Sequence, residues 1–190
     1  MNQTDRTTQL CFVSSNQRKI YEMQHLFSTH NLALTCVAYK IHEIQCLNMQ
    51  EIVTDKVKKA FQYLKRPVFV EQTGLYIEDF GDLPGGLTEI IWNSLTPEKF
   101  CDYFGSRDNT NAKSITAIAY CDGKQISIFQ ETLQGTISKS PQGNRTHHWD
   151  CIFIPEGQTK TISSLREETN YPSIRYKTIT TFLNFLKGDE

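Results

Sequence analysis

From Gln50 to Leu64 the apolar positions Ile52, Val53, Val57, Ala60, Phe61 and Leu64 recur with a helical period. Pro67 then stops the chain just before the apolar triplet Val68-Phe69-Val70, which reads as a brief buried strand. A helix handed directly to a buried strand is a unit of mixed α/β architecture, and the pattern recurs along the chain. Leu10 to Val13 is a short apolar run ended by Ser14-Ser15-Asn16, a helix cap, and Ile20, Met23, Leu26 and Phe27 then mark a helical face. Leu32 to Tyr39 alternates as a strand. Thr96-Pro97 places an N-cap and an N1 proline before a short helix to Phe104. Ile115–Tyr120 and Ile126–Phe129 are strands joined around Asp122-Gly123, a hairpin signal, and Ile152-Phe153-Ile154 is a strand halted by Pro155. The spacing of Ile179, Phe182, Leu183 and Leu186 predicts a final helix stopped by Gly188.

With 190 residues, 38% of them hydrophobic and 11% aromatic, the chain can bury a core and is not disordered. No repeat and no linker divides it, so one domain over 1–190 is expected. Lys+Arg 20 against Asp+Glu 21 leaves a net charge of -1, which excludes general nucleic-acid binding but not a small basic pocket. The six cysteines form no CxxC and read as reduced thiols, not a zinc site or a disulfide framework. Met1–Gln9 lacks the design of a signal peptide, and no apolar run reaches the ~18 residues of a membrane span. A cytoplasmic protein is expected.

Four constellations can carry chemistry. Ser14-Ser15-Asn16-Gln17-Arg18-Lys19 lies where a strand meets a helix. It is either a phosphate cradle with a lysine one turn in, or an ordinary N-cap with a solvated lysine. Glu71-Gln72-Thr73-Gly74 follows Val68–Val70. It is either an acidic point able to help hold Mg²⁺, or a turn with a solvated glutamate. His147-His148-Trp149-Asp150 precedes a strand. Adjacent histidines on one strand would point to opposite faces, a poor metal pair, whereas an indole beside a carboxylate suits a purine, or is a core tryptophan beside a surface acid. Ser173-Ile174-Arg175 opens the last helix, where Arg175 reaches a base carbonyl or a phosphate, or stays solvated.

The stretches FVSSNQRK, HEIQ, VEQTGLYIEDFGDLPGG, HHWDCIFIPEG, TKTI and SIRYK stand in one order along nearly the whole chain. That order resembles the inosine-triphosphate pyrophosphatase family, which hydrolyses unusual purine nucleotides such as ITP, dITP and XTP to monophosphates. The resemblance implies an elongated two-lobed α/β fold, a mixed sheet with the nucleotide in a cleft between lobes, dependence on Mg²⁺ and commonly a homodimer. It assigns Ser14, Asn16 and Lys19 to the phosphates, Lys56 to substrate, and Glu43 and Glu71 to the metal. Trp149, Asp150 and Arg175 become the base readers, and Thr73 and His147 complete the nucleotide set.

The departures are specific. Gln72 stands where the family has an acid serving as general base and metal ligand. Ile174 replaces a histidine, Glu89 stands where a lysine is usual, Thr169 is the match for a substrate-contacting lysine, and His147-His148 replaces an aromatic-glycine pair. Since general-base work is worth ~10²–10⁴ in rate, Gln72 alone can nearly silence hydrolysis. The expectation is therefore a catalytically impaired receptor for (d)ITP, similar to the nucleotide-sensing subunits of antiphage systems that act beside an NAD-degrading effector. The alternative is a working Mg²⁺-dependent pyrophosphatase that recruits Glu43, Glu71 or Asp79 as base.

Overall fold

A computed structural model describes residues 10–188. Seven strands form one mixed sheet: β1 (Cys11–Val13), β2 (Thr35–Val37), β3 (Val68–Ile77), β4 (Leu83–Gly85), β5 (Asn111–Cys121), β6 (Ile126–Ile137) and β7 (Phe153–Pro155). Their order is β2-β1-β3-β5-β6-β7, with β4 also paired to β3. Six α-helices flank the sheet: α1 (Gln17–Thr29), α2 (Met49–Leu64), α3 (Thr88–Ser94), α4 (Pro97–Phe104), α5 (Ile162–Glu168) and α6 (Tyr176–Lys187). The mixed α/β reading therefore holds, and no helix among the described residues is long and apolar enough to cross a membrane.

The core follows the sheet's two faces. On one, Val53, Val57 and Ala60 of α2 pack on Val68 and Val70. On the other, Met23 and Phe27 of α1 and Phe182 of α6 pack on Phe69. A third cluster joins Phe100 and Cys101 of α4 to Leu75, Ile77, Trp149 and Phe153. Since successive strand residues point to opposite faces, β3 sends Val70 toward α2 and Phe69 toward α1 and α6.

Several elements differ from the sequence reading. β3 runs ten residues instead of three, so Glu71-Gln72-Thr73-Gly74 is mid-strand and not a turn. β5 pairs with it from Val68 to Ile77. On its opposite edge β1 covers only Val68 and Phe69, while β4 covers Leu75 to Ile77. Neither neighbour reaches residues 70–74, and that gap is where the cleft lies. Gly74 is required there: a Cβ would sit 2.7 Å from the Gly85 carbonyl oxygen and 2.8 Å from Met49 Cε. β2 is shorter than Leu32–Tyr39, and both hairpin strands are longer than their apolar cores. His147-His148-Trp149-Asp150 belongs to a 3-10 helix over Arg145–Cys151, opened by the Asn144 side chain accepting from Thr146 N. The opposite-face argument for the two histidines therefore does not apply.

Candidate functional site

Two connected hollows open at the gap in the β3 edge. The outer one, about 350 Å³, is lined by Ser14, Asn16, Lys19, Glu43, Lys56 and Gln72 among others. The inner one, about 150 Å³, shares Asn16, Lys19, Gln72 and Glu89 with it and adds Arg18, Thr73, His148, Trp149 and Arg175. A larger hollow of about 530 Å³ lies elsewhere, around Tyr76, Lys113 and Glu156, and holds none of the residues the resemblance assigns to nucleotide or metal.

At the start of α1, Asn16 is the N-cap: its Oδ1 accepts from Arg18 N at 3.0 Å and Lys19 N at 3.2 Å, while Ser14 Oγ accepts from Asn16 N at 3.1 Å. The cap reading holds in part, but Lys19 is not solvated. Its Nζ lies 2.7 Å from Glu71 Oε2, and burial lowers its pKa against the opposing pull of Glu71.

Glu71 is likewise not a solvated acid. Its side chain is 0% exposed, with Oε1 accepting from Thr73 Oγ1 and from Arg175 Nε at 3.1 Å. Burial alone would raise its pKa; Lys19 and Arg175 outweigh that and hold it at about 2. Arg175 also meets Glu22 Oε2 at 3.3 Å, and despite burial these carboxylates push its pKa up.

On the other face of β3, Lys56 Nζ donates to Glu43 Oε1 at 2.5 Å and to Gln72 Oε1 at 2.9 Å, while Gln72 Nε2 donates to Glu43 Oε2 at 3.1 Å. Gln72 thus closes a ring between a lysine and a glutamate. A carboxylate at this position would face Glu43 with a second negative charge, whereas the amide offers one acceptor and one donor.

This donor set does not fit a resident Mg²⁺. The cation would need free oxygens. Both oxygens of Glu43 are engaged, Glu71 Oε1 is twice engaged, and Glu71 Oε2, which lacks an aligned hydrogen bond, is filled by the Lys19 charge. Among the described residues no three His, Cys, Asp or Glu side chains are grouped to hold a metal. Glu43 and Glu71, assigned together to a metal by resemblance, instead serve two separate networks on opposite faces of β3.

The base end divides between its two readings. Asp150 is 3% exposed and lines neither hollow; its Oδ2 lies 3.6 Å from Arg18 and 3.3 Å from Arg166. Burial raises its pKa against the pull of Arg175, Arg18 and Arg166. Trp149 is 4% exposed and sets its edge on Phe153, so it is mainly a core residue whose margin reaches the inner hollow. The His147 side chain lies outside the described residues. Thr169 is no substitute for a substrate lysine, because its hydroxyl donates to Leu165 O in its own helix. Ile174 is buried in the third cluster. Sequence reasoning missed Glu22, Arg166, Trp92 and the roles of Arg18 and His148. Of these Arg18 and His148 carried a signal, inside the cap segment and the His147–Asp150 constellation.

An α/β sheet with an edge gap, a capped helix start bearing Arg18 and Lys19, and an arginine-lined inner pocket defines a nucleotide-type cleft. A profile of the Ham1 family matches residues 10–185, and the chain belongs to that family. It is 27% identical over 184 residues to a "dITP/XTP pyrophosphatase" of Saccharolobus solfataricus, covering 96% of each chain. It is 32% identical over 188 residues to an "Inosine triphosphate pyrophosphatase" of Candida glabrata, covering 94% of this chain and 97% of the relative. The HAM1 protein structure from Coxiella burnetii shares the fold with a TM-score of 0.79 at 19% identity, over 94% of this chain and 98% of that one.

Proposed function

We propose that the cleft binds an inosine-type purine nucleoside triphosphate, dITP, ITP or XTP, within one two-lobed domain. The observation that supports it is the pair of hollows joined at Asn16, Lys19 and Gln72. The phosphates take the outer hollow, beside Ser14, Asn16, Lys19 and Lys56. The base takes the inner one, beside Thr73, Trp149 and Arg175.

The names of the relatives favour hydrolysis to monophosphate and pyrophosphate. The structure narrows the choice of proton acceptor for that reaction. Asp79 lies in the turn after β3 against Arg107 and lines neither hollow. Glu71, held at about 2 and enclosed, is too weak a base. Of the three candidate acids Glu43 remains, with a side chain 30% exposed, beside the exposed Glu89 that lines both hollows. In this reading Lys56 and Lys19 turn to phosphate charge, which releases Glu43 to take the proton from water.

A second reading, a receptor that binds without turnover and signals to an effector partner, is favoured by Gln72, whose amide cannot accept a proton at neutral pH. Pyrophosphate release from dITP, measured beside a binding isotherm, separates the two. Turnover at ~1–10³ s⁻¹ supports the pyrophosphatase. Binding without release supports the receptor. Absence of binding refutes the nucleotide reading itself.

A further inference from the structure

His148 has a backbone φ of +59°, in the left-handed region that residues other than glycine rarely enter. It stands where the resemblance expects a glycine. The conformation directs a ring, not a hydrogen, into the inner hollow, which His148 lines. The imidazole sits 5.3 Å from the Trp92 ring at an interplanar angle of 35°. Trp92 in turn packs on the buried Phe100, at 5.6 Å. The turn carrying His148 is tied to α1 by Arg18 Nη1 donating to Thr146 O at 3.4 Å. So the ring rests on an aromatic anchored in the core, and the turn that carries it is tied to the helix that bears Lys19.

Among the described residues two aromatic rings line the inner hollow. Trp149 is 4% exposed and committed to Phe153, while His148 keeps part of its surface open. We propose that His148, backed by Trp92, is the platform on which the base of the bound nucleotide stacks, making it a specificity-determining residue of this chain. The proposal rests on the nucleotide reading above and deepens it by assigning base contact to a residue outside the expected set. Burial, followed by Lys19, Arg18 and Arg175, lowers the His148 pKa to about 4, so the ring meets a base as neutral imidazole.

The test compares wild type with His148→Gly and His148→Phe, using dITP and inorganic tripolyphosphate as probes. Stacking on one ring is lost in His148→Gly, so dITP should bind about 10-fold more weakly. Tripolyphosphate, which has no base, should bind within ~2-fold of wild type, and His148→Phe should keep dITP affinity within ~3-fold. Glycine suits a positive φ, so the melting temperature of His148→Gly should not fall. Unchanged dITP binding in His148→Gly overturns the proposal. So does an equal loss for both probes, or a fall in melting temperature that accounts for the loss. If wild type binds tripolyphosphate but not dITP, the nucleotide reading fails first and carries this inference with it.

Discussion

Glu71→Gln separates a structural carboxylate from one that meets ligand or metal. The wild-type carboxylate, 0% exposed, neutralises Lys19 at 2.7 Å and Arg175 at 3.1 Å. Glutamine keeps the size and one acceptor but leaves two buried cations with only Glu22 beside Arg175. Breaking a buried pair from one side costs about 3–5 kcal/mol. The pKa leads to a similar figure: a fall from 4.5 to about 2 corresponds to about 3 kcal/mol. For a chain of this length that is a drop of roughly 6–20 °C in melting temperature. Nucleotide affinity should move the other way. With Glu71 neutral, Lys19 is free to meet phosphate and Arg175 to meet the base, and dITP should bind about 10-fold tighter, or 1.4 kcal/mol. Denaturant unfolding and titration calorimetry read the two effects. Because the folded pKa lies below the unfolded one, the wild-type contribution is complete above pH 4.5 and disappears as pH falls through about 2. The variant should lack that acid limb. Unchanged stability with weakened dITP binding would refute the reasoning and make Glu71 a direct ligand to substrate or metal.

Gln72→Asp should bring measurable pyrophosphate release from dITP and tighten Mg²⁺ binding ~10-fold, by placing a second carboxylate beside Glu43; no change in either would mean that Gln72 is not the block. Removing Mg²⁺ with EDTA should alter wild-type dITP affinity by less than ~3-fold, since Lys19 and Lys56 already occupy the acidic groups; a loss beyond ~10-fold would show that the ion enters the site despite them. His148 has a folded pKa of about 4 against 6.5, so its contribution is complete above pH 6.5 and shrinks as pH falls toward 4. Between pH 7.5 and 5 this amounts to at most about 2 kcal/mol, and His148→Phe should flatten that part of the stability profile. Arg175→Ala should lower stability by about 3–5 kcal/mol by stranding Glu71 and Glu22, whatever it does to base discrimination; unchanged unfolding would contradict the ion-pair network.

Local chemistry was legible in the sequence. Asn16 and Thr96 are caps whose partners lie two or three residues away, and the helix of Ile52, Val53 and Val57 shows its period directly. What escaped depends on distant partners. Glu71 and Gln72 break the apolar pattern of β3, so the strand read as ending at Val70. The groups that let a glutamate sit there, Lys19 and Arg175, come from the opposite ends of the chain. Trp149 and Asp150 looked like base readers because an indole beside an acid suits a purine. Only tertiary packing shows the indole against Phe153 and the acid behind Arg18 and Arg166. The short helices α3 and α5 have too few turns to display a period.

The paired and unpaired edges of β3 affect how this protein can change. Along one side all ten residues are locked in register to β5, so residues 70–74 cannot shift along the sheet. Along the other side residues 70–74 meet no strand, and Gln72 and Thr73 line the cleft instead. Chemistry at this spot can therefore be altered at Gln72 or Thr73 one side chain at a time, while Val70, Gly74 and the β5 ladder hold the backbone in place. A change of reaction there leaves the outline of the molecule as it was, so activity has to be read from those side chains and their partners.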